Sequence, residues 1–173
     1  MNKTHTNEIR MSALFSEFED AENSYKELLS RGFEREQITV LMSDELRKKH
    51  YGAETEVGTK AAEGTGVGAA VGGSVGAIVG AIAAIGSTVV IPGAGIVIAG
   101  PLAFALAGAG TGGIAGGLMG VLIGAGIPEE TVKRYESALG DGGVVLGFNP
   151  KNEIEGNEVE KVWNDHDADH IYR

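Results

Sequence analysis

Close to the C-terminus, Asp165, His166, Asp167, Asp169 and His170 form the densest set of side chains able to ligate a metal. His166 and His170 are four positions apart, a spacing that on a helix puts both imidazoles on one face. An even spacing on a strand also puts them on the same side. The spacing therefore does not choose between a metal pair and a solvated helix end entering an edge strand. No third ligand is fixed beside them, and no metal or other cofactor is expected. Gly108, Gly110 and Gly113 spell a G-x-G-x-x-G dinucleotide fingerprint. Its context is missing, because no strand clearly precedes it and Glu129 and Glu130 arrive too early for the ribose contact. No lysine follows a glycine run as in a phosphate-binding loop. Arg47, Lys48, Lys49 and His50 are the one basic cluster, suited to a phosphate or to a solvated loop. Ser16 and Ser87 sit in no G-x-S-x-G elbow, Ser74 has that spacing between Gly72 and Gly76 but no histidine lies in the apolar region beside it, and the chain has no cysteine. An enzyme is thus the least supported class. With 14 basic and 24 acidic residues, a formal net charge of −10 argues against nucleic-acid binding.

The elements that would carry these residues fall into charged flanks around an apolar centre. Residues 64–128 contain no charge, and 20 of the 28 glycines lie between Gly64 and Gly126. In the first flank, Ile9, Met11, Ala13 and Phe15 alternate with Arg10, Ser12 and Leu14, the period of a strand. Ser16 and Glu19 have the spacing of a capping box. Phe18, Ala21, Tyr25, Leu28 and Leu29 then make one helical face, which Gly32 ends. Residues 37–42 (QITVLM) suit a second strand, and the polar stretch 43–50 leads away from it. Beyond the centre, Pro128 and Glu129–Glu130 open a helix with the stripe Val132, Tyr135, Ala138 and Leu139. Residues 143–148 suit a strand. Asn157 with Glu160 suits a helix cap before Trp163, a core anchor, and residues 168–172 suit a last strand. Two β-α-β halves around an insert predict an α+β fold: a ferredoxin-like sandwich interrupted by a long helical hairpin.

The insert has the strongest pattern. Gly64, Gly68, Gly72, Gly76 and Gly80 are spaced by four, and so are Gly108, Gly112, Gly116, Gly120 and Gly124. Each row lies along one helix face, where missing side chains let two backbones approach closely. IPGAG and AGP in residues 86–101 read as the link between helices over about 64–85 and 101–125. The expected organisation is a first half (1–50), a linker (51–63), a glycine-zipper hairpin (64–126), and an amphipathic helix with the second half (127–173).

Ten zipper glycines cost about 8–10 kcal/mol of helix propensity against alanine, comparable to the whole stability of a small domain. Close packing must offset that. The remaining faces are aliphatic too, with Val71, Val75, Ile78 and Ile82 on the first helix and Leu102, Phe104, Leu118 and Leu122 on the second. A helix apolar all round must be buried all round. A body of the remaining charged residues covers one side only, so the expected cover is other copies of the chain or membrane lipid.

The segment MSALFSEFEDAENSYKELLSRGFEREQITVLMSDE, with Gly32-Phe33 and the I-x-V-L of Ile38, Val40 and Leu41, resembles the opening module of the bacterial heat-induced general stress proteins (the YflT-like and 17M-like group). The zipper, IPGAG, AGP and GIPEETVKRYESALGDGGVVL resemble the later parts of glycine-zipper proteins of that type, often described as predicted membrane proteins. The resemblance implies a stress-linked, non-enzymatic role and carries over no active site. The expectation is a homo-oligomer held by the two glycine rows, in the cytoplasm or at the inner-membrane face. The rival expectation is a hairpin inserted into the bilayer from the cytoplasmic side.

Overall fold

In the computed structural model, the described residues are 9–51, 78, 88–91, 93–109 and 116–173. They build one sheet of six strands: β1 (Met11–Phe15), β2 (Ile38–Ser43), β3 (Thr88–Ile91), β4 (Ile96–Ala99), β5 (Val144–Phe148) and β6 (His170–Tyr172). The order is β3-β4-β2-β5-β1-β6. Every neighbouring pair is antiparallel. The fold is therefore α+β.

Six α-helices lie around the sheet among the described residues: α1 (Phe18–Ser30), α2 (Asp44–Tyr51), α3 (Pro101–Ala109), α4 (Gly117–Gly124), α5 (Glu129–Gly140) and α6 (Glu153–Asp165). On one face, Ala21, Tyr25 and Leu28 of α1 and Val159, Val162 and Trp163 of α6 pack with Met11, Ala13, Phe15, Val40 and Leu146. On the other face, three helices meet Leu14, Leu41, Ile98 and Val145. They contribute Leu102 and Leu106 from α3, Leu118, Val121 and Leu122 from α4, and Val132, Tyr135 and Leu139 from α5. The sheet is thus covered on both faces, and all five residues of β1 and all five of β5 are buried.

Several local expectations are corrected. Residues 88–91 and 96–99, expected within the link between two zipper helices, pair as β3 and β4, with Val90 opposite Val97 and Ile91 opposite Ile96. Gly93 (φ +82°) and Gly95 (φ +61°) supply left-handed turn positions between them. The single helix expected over 101–125 is not formed. Gly117 at the start of α4 has φ +63°, which a continuous right-handed helix does not contain. The stretch 43–50 forms most of α2 rather than a loop, with Asp44 paired to Arg47 and Lys48. Ser16 does not cap α1. Glu17 is the N-cap residue, without a side-chain cap bond, and the Ser16 amide donates to Asp169 instead. The last helix begins earlier than the Asn157–Glu160 pair suggested, because the Asn152 side chain accepts from the Glu155 amide.

The first glycine row, Gly64 to Gly80, and Gly112 of the second lie outside the described residues. Ile78 is described: it is fully buried in the core on the α1 side, and its amide donates to the buried Glu22 carboxylate (3.1 Å). Leu118, Val121 and Leu122 of α4, by contrast, belong to the core on the opposite face of the sheet.

Two buried tyrosines make a testable contrast. Tyr135 meets Ser12 Oγ at 2.9 Å, and burial pushes its pKa up to about 12. Tyr25 is also buried and its pKa raised by burial, but its hydroxyl has no hydrogen-bond partner among the described residues. Tyr135→Phe leaves the Ser12 hydroxyl buried and unpaired and is expected to cost about 1–2 kcal/mol. Tyr25→Phe removes an unsatisfied polar atom and is expected to be neutral or stabilising. Urea unfolding of both variants checks this; equal losses would contradict it.

Candidate interaction surface

The surface built by the apolar centre is the outer side of α3 and α4. α3 starts where β4 ends. Gly100 (φ +92°) turns the chain, Pro101 takes the first helical position, and the Leu102 amide donates to Thr39 Oγ1 of β2 (3.4 Å). These contacts seat Leu102, Ala103 and Leu106 on the sheet and leave Phe104 pointing away, 74% exposed. α4 is seated in the same way by Leu118, Val121 and Leu122, with Ala125 just after it.

The second glycine row runs along the opposite side of α4. Gly116, Gly120 and Gly124 are exposed, and so is Ile123. Among the described residues, no atom comes within 4 Å of a Cβ placed at Gly120 or Gly124. A Cβ at Gly116 would meet only Gly120 of its own helix, its Cα at 2.9 Å. Leu118, Val121 and Leu122 seat α4 in the core it shares with the sheet and α5. Gly108 lies on α3, whose last two residues are described in backbone only. Three of the ten row glycines thus lie exposed along α4.

Several of the charged residues singled out for chemistry have structural partners. His166 Nε2 lies 2.7 Å from Glu27 Oε2, and Arg31 pairs with both Glu27 and Glu158, tying α1 to α6. The Arg31 guanidinium first, and His166 next, hold the Glu27 carboxyl below its usual range. His170 packs edge-on to Tyr135, Asp169 accepts from the Ser16 amide, and Asp165 pairs with Lys161. Among the described residues, no three His, Cys, Asp or Glu side chains are grouped to hold a metal. Glu129 pairs with Lys133 one turn along α5. Beside the Gly32 turn lies a shallow depression of about 360 Å³, lined by Arg31, Phe33, Gln37, Lys151, Ile154 and Glu158. Its cations face carboxylates, Arg31 those of Glu27 and Glu158 and Lys151 that of Glu155.

Sequence reasoning missed the strands β3 and β4, and β3 shows what signal could have found them. Its signal was present in the β-branched run Thr88-Val89-Val90-Ile91, followed by the turn-forming Pro92-Gly93. No helix among the described residues is long and apolar enough to cross a membrane. No family model matches the chain, and no curated protein and no solved structure matches it.

Proposed function

We propose that this chain is a non-enzymatic stress-response protein that self-associates through the glycine-bearing layer of its apolar centre. The observation that carries the self-association is the exposure of apolar and glycine positions on α3 and α4: Phe104 on α3, and Ile123 with Gly120 and Gly124 on α4. Glycine in a helix costs propensity, and an outward row of it gains nothing from the protomer's own sheet. Close approach of another backbone is what such a row permits. The stress-linked role rests on the resemblance of the first flank and the zipper region to the general stress proteins. The strand order β2-β5-β1-β6, with α1 and α6 on one face, supports a ferredoxin-like body that β3 and β4 extend. The acidic surface of that body, from a net charge of −10, would keep an assembly dispersed.

Membrane association is the second reading, favoured by the same exposed Phe104 and Ile123 on a surface built from an uncharged stretch. Detergent-free fractionation, followed by light-scattering mass of the soluble fraction, separates the two. Soluble particles of several copies are the expected result. Recovery only in a membrane pellet that detergent releases would favour lipid, and a soluble monomer would remove both readings.

A further inference from the structure

We infer that Met119 is an oxidation site, and that its sulfoxide loosens the first turn of α4 from the core. This inference is independent of the self-association proposed above. The chain has no cysteine and four methionines. Met11 and Met42 are fully buried in the core on the α1 side, and Met1 lies outside the described residues. Met119 is partly buried: it packs against the core on the other face of the sheet and also meets solvent. Among the described residues it is therefore the one sulfur that a solute can reach.

Its place in α4 gives that reach a consequence. The first turn of α4 runs Gly117, Leu118, Met119, Gly120, so only Leu118 and Met119 offer side chains to seat it. Glycine lowers helix propensity, and Gly116 precedes the turn without a side-chain cap bond. The other end of α4 is held through backbone. The Ile9 amide donates to the Ala125 carbonyl (2.7 Å), and the Ile127 amide donates to the Leu122 carbonyl (3.0 Å). The first turn thus depends on two side chains, and one of them is the reachable thioether.

The oxidant is a hydroperoxide. The Met119 sulfur attacks the terminal oxygen of its O–O bond. An S–O bond forms and the O–O bond breaks. The proton of the transferred oxygen leaves with the departing one, as water or an alcohol. Sulfur loses two electrons and the peroxide gains them. The product carries a polar S=O on a side chain that was apolar. Pressed against the core without a partner, that oxygen would cost desolvation. The side chain turns to water instead, and Leu118 alone seats the turn.

The test is dilute hydrogen peroxide on the full chain, read by mass spectrometry of its peptides and by amide exchange. Met119 is expected to oxidise at least about tenfold faster than the buried Met11 and Met42. The Gly120 amide, which donates to the Gly116 carbonyl (3.1 Å), should then exchange at least about threefold faster, while the Ile127 amide keeps its rate. Met119→Leu keeps an apolar side chain of similar volume and should abolish the exchange response. Equal oxidation of Met11, Met42 and Met119 would overturn the site. An unchanged Gly120 amide in the sulfoxide, or the same response in Met119→Leu, would overturn the loosening of α4. Treatment with a methionine sulfoxide reductase should restore the untreated rate; a rate that stays fast would place the damage elsewhere and overturn the inference.

Discussion

Gly100→Ala is expected to destabilise the protein by about 3 kcal/mol or more, without touching any exposed surface. Gly100 joins β4 to α3 at φ +92°. An L-residue there is strained by about 1–2 kcal/mol. The added methyl would also run into the Ile38 carbonyl oxygen and lie 3.1 Å from Thr39 Cα. Those are backbone atoms of β2, which is held on one side by β4 and on the other by β5. The clash cannot be relieved by turning a side chain. Gly93→Ala is the matched control: it is also left-handed, at φ +82°, but nothing lies within 4 Å of its Cβ position among the described residues. Only the strain should register there. Urea unfolding of both variants checks the difference. Equal midpoints would mean that the β4–α3 junction is looser than its geometry requires.

The second large effect concerns assembly. Gly120→Leu is expected to reduce the particle mass, because its side chain would stand where another backbone must approach. Gly120 is the better site than Gly116, where a Cβ would press on Gly120 Cα of the same helix and perturb α4 itself. Gly120→Ala gives a sign test. Within a protomer, it should raise stability by about 0.8–1 kcal/mol, since the position is helical and exposed and, among the described residues, nothing lies within 4 Å of its Cβ position beyond its own helix. Across the interface it should weaken association. Protomer stability measured by urea unfolding under dissociating conditions, set beside light-scattering mass, reads the two effects separately. A mass unchanged in both variants would remove Gly120 from any interface.

Much of the body was legible because local signals agreed there. The alternation in residues 9–15, the stripe of Ala21, Tyr25 and Leu28, and the Gly32 stop give β1 and α1 close to where they lie. Gly32 has φ +92°, the left-handed position a helix end favours. Pro128 and the two glutamates after it mark the start of α5. The caps were read less well. Ser16 and Asn157 have capping side chains, but Ser16 is tied through its amide to Asp169, which is distant in sequence. Asn152 captured the start of α6 earlier.

Composition and periodicity are local properties of a chain. They were enough for the α+β class, for the separation of charge from the apolar centre, and for the spacing of the glycines. Where residues 88–91, 93–109 and 116–125 pack was decided by contacts between distant segments. The run 88–91 was short enough to read as a link, and it became a strand because β4, beside β2, offered it a partner. Leu118, Val121 and Leu122 were one aliphatic face among several, and they became the buried one because the second face of the sheet needed covering. That choice turned Gly120 and Gly124 outward. Burial is a relation between segments far apart in sequence, and no spacing within one helix specifies which of its apolar faces the sheet will take.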